Sequence, residues 1–250
     1  MPKHCLIFLL FFVYLLIPSV SLAVPDPVLS FTFDNVDDIV QDLSGNGNDG
    51  ELEGEPQVID GQYGDALEFQ NSRVKILASD SLHSELFADG SFTLVLWINA
   101  PLAGNAWQQV FRAGPDPNDT LFLNVNGTLS WRGWVGAAWG GGMCETAAGL
   151  VQAGEWTHVA VVSDGTNFQV YHNGEMVQES NFQQTRGNNQ EFMIGGYAGG
   201  ESYTGAVDEL AIFAEPLSEA DINSIMNKGL QASTVVEARD KITTTWAEIK

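Results

Sequence analysis

Two Asn-Gly pairs, each standing between runs of alternating residues, constrain this chain more than any other feature. Asn126-Gly127 divides "TLFLNVNGTLSW" (120–131), and Asn173-Gly174 divides "FQVYHNGEMVQ" (168–178) in the same manner. Because Asn and Gly tolerate positive φ, each pair predicts a tight turn between antiparallel strands. Period-two alternation recurs in "SFTLVLWINA" (91–100), and about a dozen such segments follow one another between residues 28 and 213. The pattern predicts an all-β fold, a two-sheet antiparallel sandwich.

One short helix is predicted near the C-terminus, within "PLSEADINSIMNKGL" (216–230). Ser218 is a favourable N-cap, and Leu217 and Ile222 are spaced to close a hydrophobic staple. Lys228 and Gly229 are typical of a helix C-terminus. We expect this helix to pack on the edge of the sandwich after the last strand.

The ends of the chain differ in composition from its centre. Residues 1–23 combine a basic start, an apolar run "CLIFLLFFVYLLIPSV" (5–20) and a terminal "SLA". This order is typical of an export signal, with cleavage expected after Ala23, and it predicts a secreted or cell-surface protein. An uncleaved anchor is the alternative, but the run is short for a membrane span of about 20 apolar residues. Residues 24–230 then form the sandwich, and 231–250 form a tail without an assigned role.

The charge of the chain limits its partners. Its 250 residues include 32 acidic and 10 basic side chains, a net charge of −22. Such a chain is not expected to bind nucleic acid or, after signal cleavage, membranes, whereas it is compatible with cation binding. Cys144 is the single cysteine outside the signal, so we expect no internal disulfide.

The segment "DLSGNGNDGELEG" (42–54) admits three interpretations. Its glycines match G-x-G-x-x-G, its acidic and amide residues nearly match a calcium loop flanked by helices, and it also suits a turn between strands. The dinucleotide motif requires a βαβ unit, and the calcium loop requires flanking helices. Because "ELEGEPQVIDGQYGDALEF" (51–69) contains turns and strands instead, we interpret the segment as a turn at a sandwich corner.

Several short segments together carry a family resemblance. They are "FTFDN" (31–35), "DLSGNGNDGEL" (42–52), "GQYGDALEF" (61–69), "SFTLVLWI" (91–98), "GEWTHVAVVSDG" (154–165), "VYHNGEMV" (170–177) and "YTGAVDELAIFAEPLSEADI" (203–222). In this order they resemble the laminin-G-like jelly roll of the concanavalin A-like lectin and glucanase superfamily. The resemblance covers most of residues 28–230 and implies a jelly roll that binds carbohydrate or protein partners, although some members are glycosidases.

The sequence offers no catalytic residues. Retaining glycosidases need two carboxyl groups about 5–5.5 Å apart, as the superfamily's Glu-x-Asp-x-x-Glu type strand supplies, and no such strand occurs here. Asp208 and Glu209 are adjacent, so strand alternation predicts that they point to opposite faces. No G-x-S-x-G serine motif occurs. His158 alternates in phase with apolar neighbours and is expected to pack on a sheet, while His83 and His172 are expected in a loop and beside a turn.

Aromatic residues in the Gly-rich centre indicate a carbohydrate site. An aromatic ring stacks on the apolar face of a sugar, while a neighbouring Arg binds hydroxyl groups. We therefore predict a ligand-binding set that consists of Trp107, Trp131, Arg132, Trp134 and Trp139. The alternative is that part of the tryptophan group fills the core.

The resemblance also implies a structural Ca²⁺. Related jelly rolls join an early acidic residue, a loop oxygen and an acid on the last strand, which here are Asp34, Asn46 and Asp208. Calcium requires six to eight oxygen ligands, which carboxylates, amides and carbonyls supply. The alternative is that the early acidic residues only cap turns.

These observations predict a secreted, non-catalytic, lectin-like module that binds an extracellular glycan or a matrix or surface protein. Two alternatives are a glycoside hydrolase of the same superfamily with an unrecognised site, and an adhesion domain that binds protein.

Overall fold

The computed structural model describes residues 24–77, 79–82, 90–114, 119–184, 191–196 and 201–234. The predicted signal peptide (1–23), His83 and residues 235–250 of the predicted tail lie outside this part of the chain. The described residues contain the following strands: β1 (Leu29–Phe31), β2 (Ile39–Val40), β3 (Gly50–Glu53), β4 (Gln57–Asp60), β5 (Asp65–Gln70), β6 (Arg73–Leu77), β7 (Ser91–Asn99), β8 (Trp107–Ala113), β9 (Asp119–Asn124), β10 (Leu129–Val135), β11 (Ala138–Glu145), β12 (Thr157–Asp164), β13 (Asn167–His172), β14 (Glu175–Asn181), β15 (Glu191–Ile194) and β16 (Thr204–Phe213). Two helices follow, α1 (Glu219–Lys228) and α2 (Leu230–Thr234).

The strands form two eight-stranded sheets that pack face to face. The first sheet has the order β14-β13-β12-β7-β16-β5-β4, with β1 also paired to β16. The second sheet has the order β11-β10-β9-β8-β15-β6-β3-β2. Neighbouring strands are antiparallel, as in the pairs β7–β12 and β9–β10. The predicted all-β fold, a two-sheet antiparallel jelly-roll sandwich, is confirmed. One short C-terminal helix was predicted, whereas the described residues contain two short helices there, α1 and α2.

Both Asn-Gly pairs lie in the turns that the sequence predicted. Asn173 and Gly174 join β13 to β14 with φ angles of 49° and 83°, as a two-residue turn of type I′ requires. The Asn126-Gly127 pair joins β9 to β10, where the Gly127 N–H donates to the Asn124 carbonyl at 2.8 Å. The turns fix the strand register, and the register decides which side chains face the core.

The core lies between the sheets and follows the alternation of the strands. On β7, Phe92, Leu94, Leu96 and Ile98 point inward and are at most 1% exposed. Trp131 points inward from β10 in the opposite sheet, with its ring centroid 5.2 Å from that of Phe92. Inward positions of both sheets therefore supply one continuous apolar core.

Residues 182–184, which follow β14, pack against strands β10, β11 and β13. The Phe182 ring stacks on Phe168 with centroids 4.2 Å apart and an interplanar angle of 5°. Gly142 and its β-partner Gly133 lie against this segment, and a Cβ on Gly142 would overlap the Phe182 ring. The Gly-rich sequence of β11 thus permits a chain segment to pass close to the strand backbone.

Helix α1 begins after Ser218, as predicted, but its position differs from the prediction. The Ser218 hydroxyl accepts from the Asp221 N–H at 3.2 Å, and the Asp221 carboxylate accepts from the Ser218 N–H at 3.1 Å, so the two residues form a capping box. The helix lies on the outer face of the first sheet rather than on the sandwich edge. Its Ile222 and Ile225 belong to a second apolar cluster with Val24, Val95, Ala160, Val162, Tyr171, Ala211, Phe213, Leu217 and Leu230.

Helix α1 lies there because the outer face of the first sheet is itself apolar and is stabilised when a helix covers it.

In the described ranges, no helix has the length and apolar character needed to cross a membrane.

The segment 42–54 begins with a turn that hydrogen bonds to the Asp42 side chain stabilise, and it continues into a strand. The buried Asp42 carboxylate accepts from the backbone N–H groups of Ser30 and Ser44 at 3.0 Å and of Asn48 at 2.9 Å. Gly45 and Gly47 have φ angles of 85° and 74°, which glycine adopts without strain. Strand β3 follows at Gly50, so the structure agrees with the turn interpretation.

Candidate functional site

The outer face of the second sheet carries a group of aromatic side chains, which we call the aromatic face. It consists of Trp107 on β8, Phe122 on β9, Arg132 and Trp134 on β10, and Trp139 on β11. Trp131 points into the core, so alternation along β10 directs Arg132, the next residue, and Trp134, two positions further on, outward. Hairpin pairing places Trp134 directly opposite Trp139.

The rings of the aromatic face contact one another in a continuous series. Phe122 is 3% exposed and lies between Trp107 and Trp139, with centroid distances of 6.1 Å and 6.3 Å and edge-to-face angles of 84° and 63°. Trp139 continues the series to Trp134 at 6.1 Å, with the two planes at 52°. Trp139 is 43% exposed and Trp107 and Trp134 are half-buried, so the indoles present their surface around a buried phenyl ring.

Arg132 is held rigidly within this face. Its guanidinium carbon lies 3.8 Å from the centre of the Trp107 ring, which is a cation–π contact. One nitrogen, Nη2, pairs with the Glu145 carboxylate at 2.7 Å, and Nε donates to the Ser130 hydroxyl at 2.9 Å. Three contacts from three directions therefore fix both the guanidinium and the indole that it covers.

The structure brings together four members of the predicted set, Trp107, Arg132, Trp134 and Trp139. The fifth, Trp131, is fully buried between the sheets and has no surface for a ligand to stack on, so its place is in the core. Period-two alternation predicts that Trp131 and Trp134 point to opposite faces of the sheet, because they are an odd number of positions apart on one strand.

Sequence reasoning missed Phe122 and Glu145. The first is the outward residue of the alternating run "TLFLN" (120–124), which is a usable signal. The ion pair of Glu145 depends on the β10–β11 register, for which the sequence carries no turn signal of the Asn-Gly kind.

A second polar region surrounds the turn at residues 61–65. The Asp34 carboxylate accepts from the Asp65 N–H at 3.0 Å, and Asp208 Oδ2 accepts from the N–H groups of Gln62 and Tyr63 at 2.8 Å and 2.9 Å. A Cβ on Gly61 would lie 2.6 Å from Asp208 Oδ2. The glycines of "GQYGDALEF" thus let the turn close around two carboxylates that come from distant segments of the chain.

The prediction that Asp208 and Glu209 point to opposite faces is wrong. The register of β16 against β7 shifts between Asp208 and Ala211, and Glu209 within this bulge has a φ of 50°. The extra residue turns Glu209 to the same side as Asp208, because a bulge interrupts strict alternation. The Glu209 carboxylate accepts there from the N–H of Leu230, at the start of α2.

Both carboxylates of the bulge are buried and hold their protons more tightly than usual. Burial raises the pKa of Asp208 to about 7, and the charge of Asp34 adds to the rise, while backbone N–H donors such as that of Tyr63 oppose it. Burial also raises the pKa of Glu209 to about 7, with the Asp208 charge as a further cause. Asp208 Oδ1 is buried and has no hydrogen-bond partner within the described ranges, which indicates a place for a proton or a cation.

The predicted calcium ligands do not all meet at this turn. Asn46 donates to the Val28 carbonyl at 3.2 Å, and Val28 lies beside Ile212, four residues further along β16 than Asp208. That separation is about 13 Å at 3.3 Å per residue, so Asn46 lies outside the reach of an ion held by Asp34 and Asp208. Within the described ranges, no group of three or more Asp, Glu, His or Cys side chains is arranged to hold a metal. A cation here would therefore depend on two carboxylates together with backbone carbonyls.

His158 is buried on the outer face of the first sheet. It is 0% exposed, and its ring lies 5.2 Å from that of Trp97 in an edge-to-face contact. Among the described residues, neither ring nitrogen has a hydrogen-bond partner. Burial lowers the pKa of His158 to about 3, so the imidazole is neutral at physiological pH. Burial also lowers the pKa of His172, to a smaller extent.

The two-sheet antiparallel arrangement defines the class of the protein as a jelly-roll β-sandwich. The family model of the concanavalin A-like lectin/glucanases superfamily, of laminin G type, matches residues 77–223. This is more than half of the 250 residues, and the chain belongs to that family. No curated protein matches the sequence.

Solved structures with the same fold include binding domains of toxins. The binding domain of Paraclostridial Mosquitocidal Protein 1 has a TM-score of 0.65 at 18% identity, over 81% of this chain and 52% of that one. The binding domain of botulinum neurotoxin DC, solved with rat synaptotagmin II, has a TM-score of 0.66 at 14% identity, over 82% and 52%. This chain thus spans about half the length of these toxin domains.

A further similar structure is domain 4 of AbnA, a GH43 extracellular arabinanase from Geobacillus stearothermophilus, in complex with arabinotriose. Its TM-score is 0.58 at 21% identity, over 80% of this chain and 98% of that domain. At these identities the similarities show the fold alone.

Proposed function

We propose that this protein is a secreted or cell-surface binding module without catalytic activity, and that its aromatic face binds an extracellular glycan. The observation that carries the proposal is the series of ring contacts from Trp107 through Phe122 and Trp139 to Trp134. An exposed indole beside others fits the apolar face of a sugar ring, and polar groups at its border fit hydroxyl groups. The arabinotriose complex of a domain with the same fold supports this choice.

The proposal of a binding module is favoured over that of a hydrolase by the burial of the acids. Asp208 and Glu209, the pair that shares a face, are 0% and 4% exposed and are enclosed by the 61–65 turn and α2. On the aromatic face, Glu145 is occupied by its ion pair with Arg132. The exposed Glu201 is bound to Gln109, which lies three strand spacings from Glu145, about 14 Å, so none of these arrangements gives a sugar two accessible carboxyl groups at the separation that glycoside hydrolysis needs.

A glycan array with the exported protein tests the proposal, followed by titration of the best ligand into variants. Trp139→Ala should weaken binding about tenfold or more, since a central aromatic contact is worth at least about 1.4 kcal/mol. Met176→Ala is the matched control, because Met176 is 45% exposed on β14 of the other sheet. Equal affinities of the two variants would refute the aromatic face as the site, and release of reducing ends would favour a hydrolase.

A protein partner is the second candidate. Met143, which is 43% exposed, lies on β11 with Trp139 and extends the aromatic face with an adaptable apolar side chain. The similarity to a toxin domain solved with synaptotagmin II supports this alternative. Absence of any glycan on the array, together with capture of a surface protein that Trp139→Ala abolishes, would favour it.

We also propose that the 61–65 turn holds a structural Ca²⁺ between Asp34 and Asp208. The unpartnered Asp208 Oδ1 supports this proposal, and the ion would offset the mutual repulsion of the two carboxylates. Chelator should lower the melting temperature of the wild type and leave that of Asp208→Asn unchanged. An unchanged wild-type melting curve, with no metal by elemental analysis, would refute it.

A further inference from the structure

The charges around the aromatic face restrict the class of glycan that it can bind. Strands β8 to β11 contain two basic residues within the described part of the chain, Arg112 and Arg132. The register places both beside Thr120 of the intervening strand, so they lie about 10 Å apart at two strand spacings. Arg112 donates from Nε to the Gly114 carbonyl at 3.0 Å.

The charge of Arg132 is balanced before any ligand arrives. Its side chain is 20% exposed, and its ion pair with Glu145, whose side chain is 37% exposed, lies toward the surface. A sulfate or carboxylate that approached the guanidinium would have to displace Glu145 or lie next to its carboxylate. Two negative charges in contact with the same guanidinium repel each other.

Further acidic charge lies beside the face. Gln109, in the same row of the sheet as Phe122, donates to the exposed Glu201 carboxylate at 2.6 Å. The chain as a whole carries a net charge of −22, which slows the approach of polyanions. Neutral hydroxyl groups are not repelled, and they can donate to the outer lone pairs of the Glu145 carboxylate.

We propose that the aromatic face selects neutral glycans over anionic ones, and that Glu145 determines this specificity. The inference rests on the proposed glycan-binding function and adds the chemical class of the ligand. Glu145 acts in two ways: it neutralises Arg132, and it presents a carboxylate that accepts from sugar hydroxyls.

The experiment compares neutral polysaccharides, such as arabinan, xylan and β-glucan, with anionic ones, such as polygalacturonate and heparin, at low and physiological salt. Each polymer is titrated with the exported wild-type protein, Glu145→Gln and Glu155→Gln. The last variant is the matched control, because it removes the same charge at an exposed turn before β12, away from β8 to β11.

The wild type should bind at least one neutral polymer and should bind anionic polymers at least about tenfold more weakly. Glu145→Gln, which keeps an oxygen acceptor for Arg132, should bind anionic polymers about tenfold better at low salt than Glu155→Gln does. The gain should shrink as salt rises, because screening weakens an exposed charge.

Each other outcome contradicts a defined part of the proposal. Tighter wild-type binding to an anionic polymer than to any neutral one would overturn the selectivity and leave the glycan-binding function intact. Identical behaviour of Glu145→Gln and Glu155→Gln would overturn the role of Glu145. Absence of binding to any polymer would overturn the glycan-binding function and the inference with it.

Discussion

The buried imidazole of His158 should make the stability of the protein fall on acidification. Its pKa is about 3 in the folded protein, against an ordinary value of 6.5 for the unfolded chain. Between these values the unfolded chain binds the proton and the folded protein does not, so protonation favours unfolding. The stabilising contribution is complete above pH 6.5 and is lost progressively as the pH falls toward 3.

The size of the effect follows from the two pKa values. At pH 5, which is 1.5 units below 6.5, His158 should cost about 2 kcal/mol of unfolding free energy relative to pH 7. The structure supports a cost of this size, because the ring is fully buried against Trp97 and neither of its nitrogens has a hydrogen-bond partner in the part of the chain that the structure describes.

The measurement is urea unfolding at pH 7 and pH 5 for the wild type and His158→Phe, which keeps a ring against Trp97 without a titrating nitrogen. The wild type should lose about 2 kcal/mol more than the variant between the two pH values. Other titrating groups cancel in this comparison, because both proteins contain them. His158→Leu serves as a second variant if the larger ring strains the fold.

His172→Gln is the control, since the half-buried His172 has a smaller decrease in pKa and its removal should change the pH dependence less. Parallel pH profiles for the wild type and both His158 variants would refute the reasoning.

Three further predictions concern packing and capping. Trp131→Ala should lower the unfolding free energy by about 3–5 kcal/mol, whereas Trp139→Ala should cost about 1 kcal/mol or less; denaturant titration separates them, and similar losses would contradict the assigned positions. Gly142→Ala should destabilise the fold by about 1–3 kcal/mol because its methyl group would overlap the Phe182 ring, and an unchanged melting temperature would contradict this packing. Ser218→Ala should cost about 1 kcal/mol through loss of the helix cap, and Ser218→Asp should recover most of it in thermal melts.

The sequence predicted those structural elements that residues close together in the chain determine. The Asn173-Gly174 turn and the Ser218 cap each depend on residues a few positions apart, and the structure has both. Alternation also predicted that His158 faces a sheet surface. It could not predict that α1 covers that surface, because the cover depends on contacts between residues far apart in the chain.

The candidate sites were predictable only in part for the same reason. Residue type and position led to the prediction that Trp107 and Arg132 lie together, and the structure brings them into contact, but the Arg132–Glu145 ion pair depends on strand register. The β-bulge at Glu209 turns this side chain to the face opposite to the predicted one. No local residue pattern indicates the bulge. The family resemblance implies that Asn46 shares an ion with Asp208, whereas four residues of β16 separate the two side chains in the structure.

Both ends of the described domain pack on the same side of the sandwich. Val24 at the start and Leu230 near the end belong to the same apolar cluster on the outer face of the first sheet. The aromatic face lies on the outer side of the other sheet, with the thickness of the sandwich, about 10 Å between the two sheets, separating them. Val24 and Leu230 therefore lie on the side of the sandwich opposite to the aromatic face. The domain is therefore polarised: the two sheets separate the side on which both ends are anchored from the face that we propose as the glycan-binding surface.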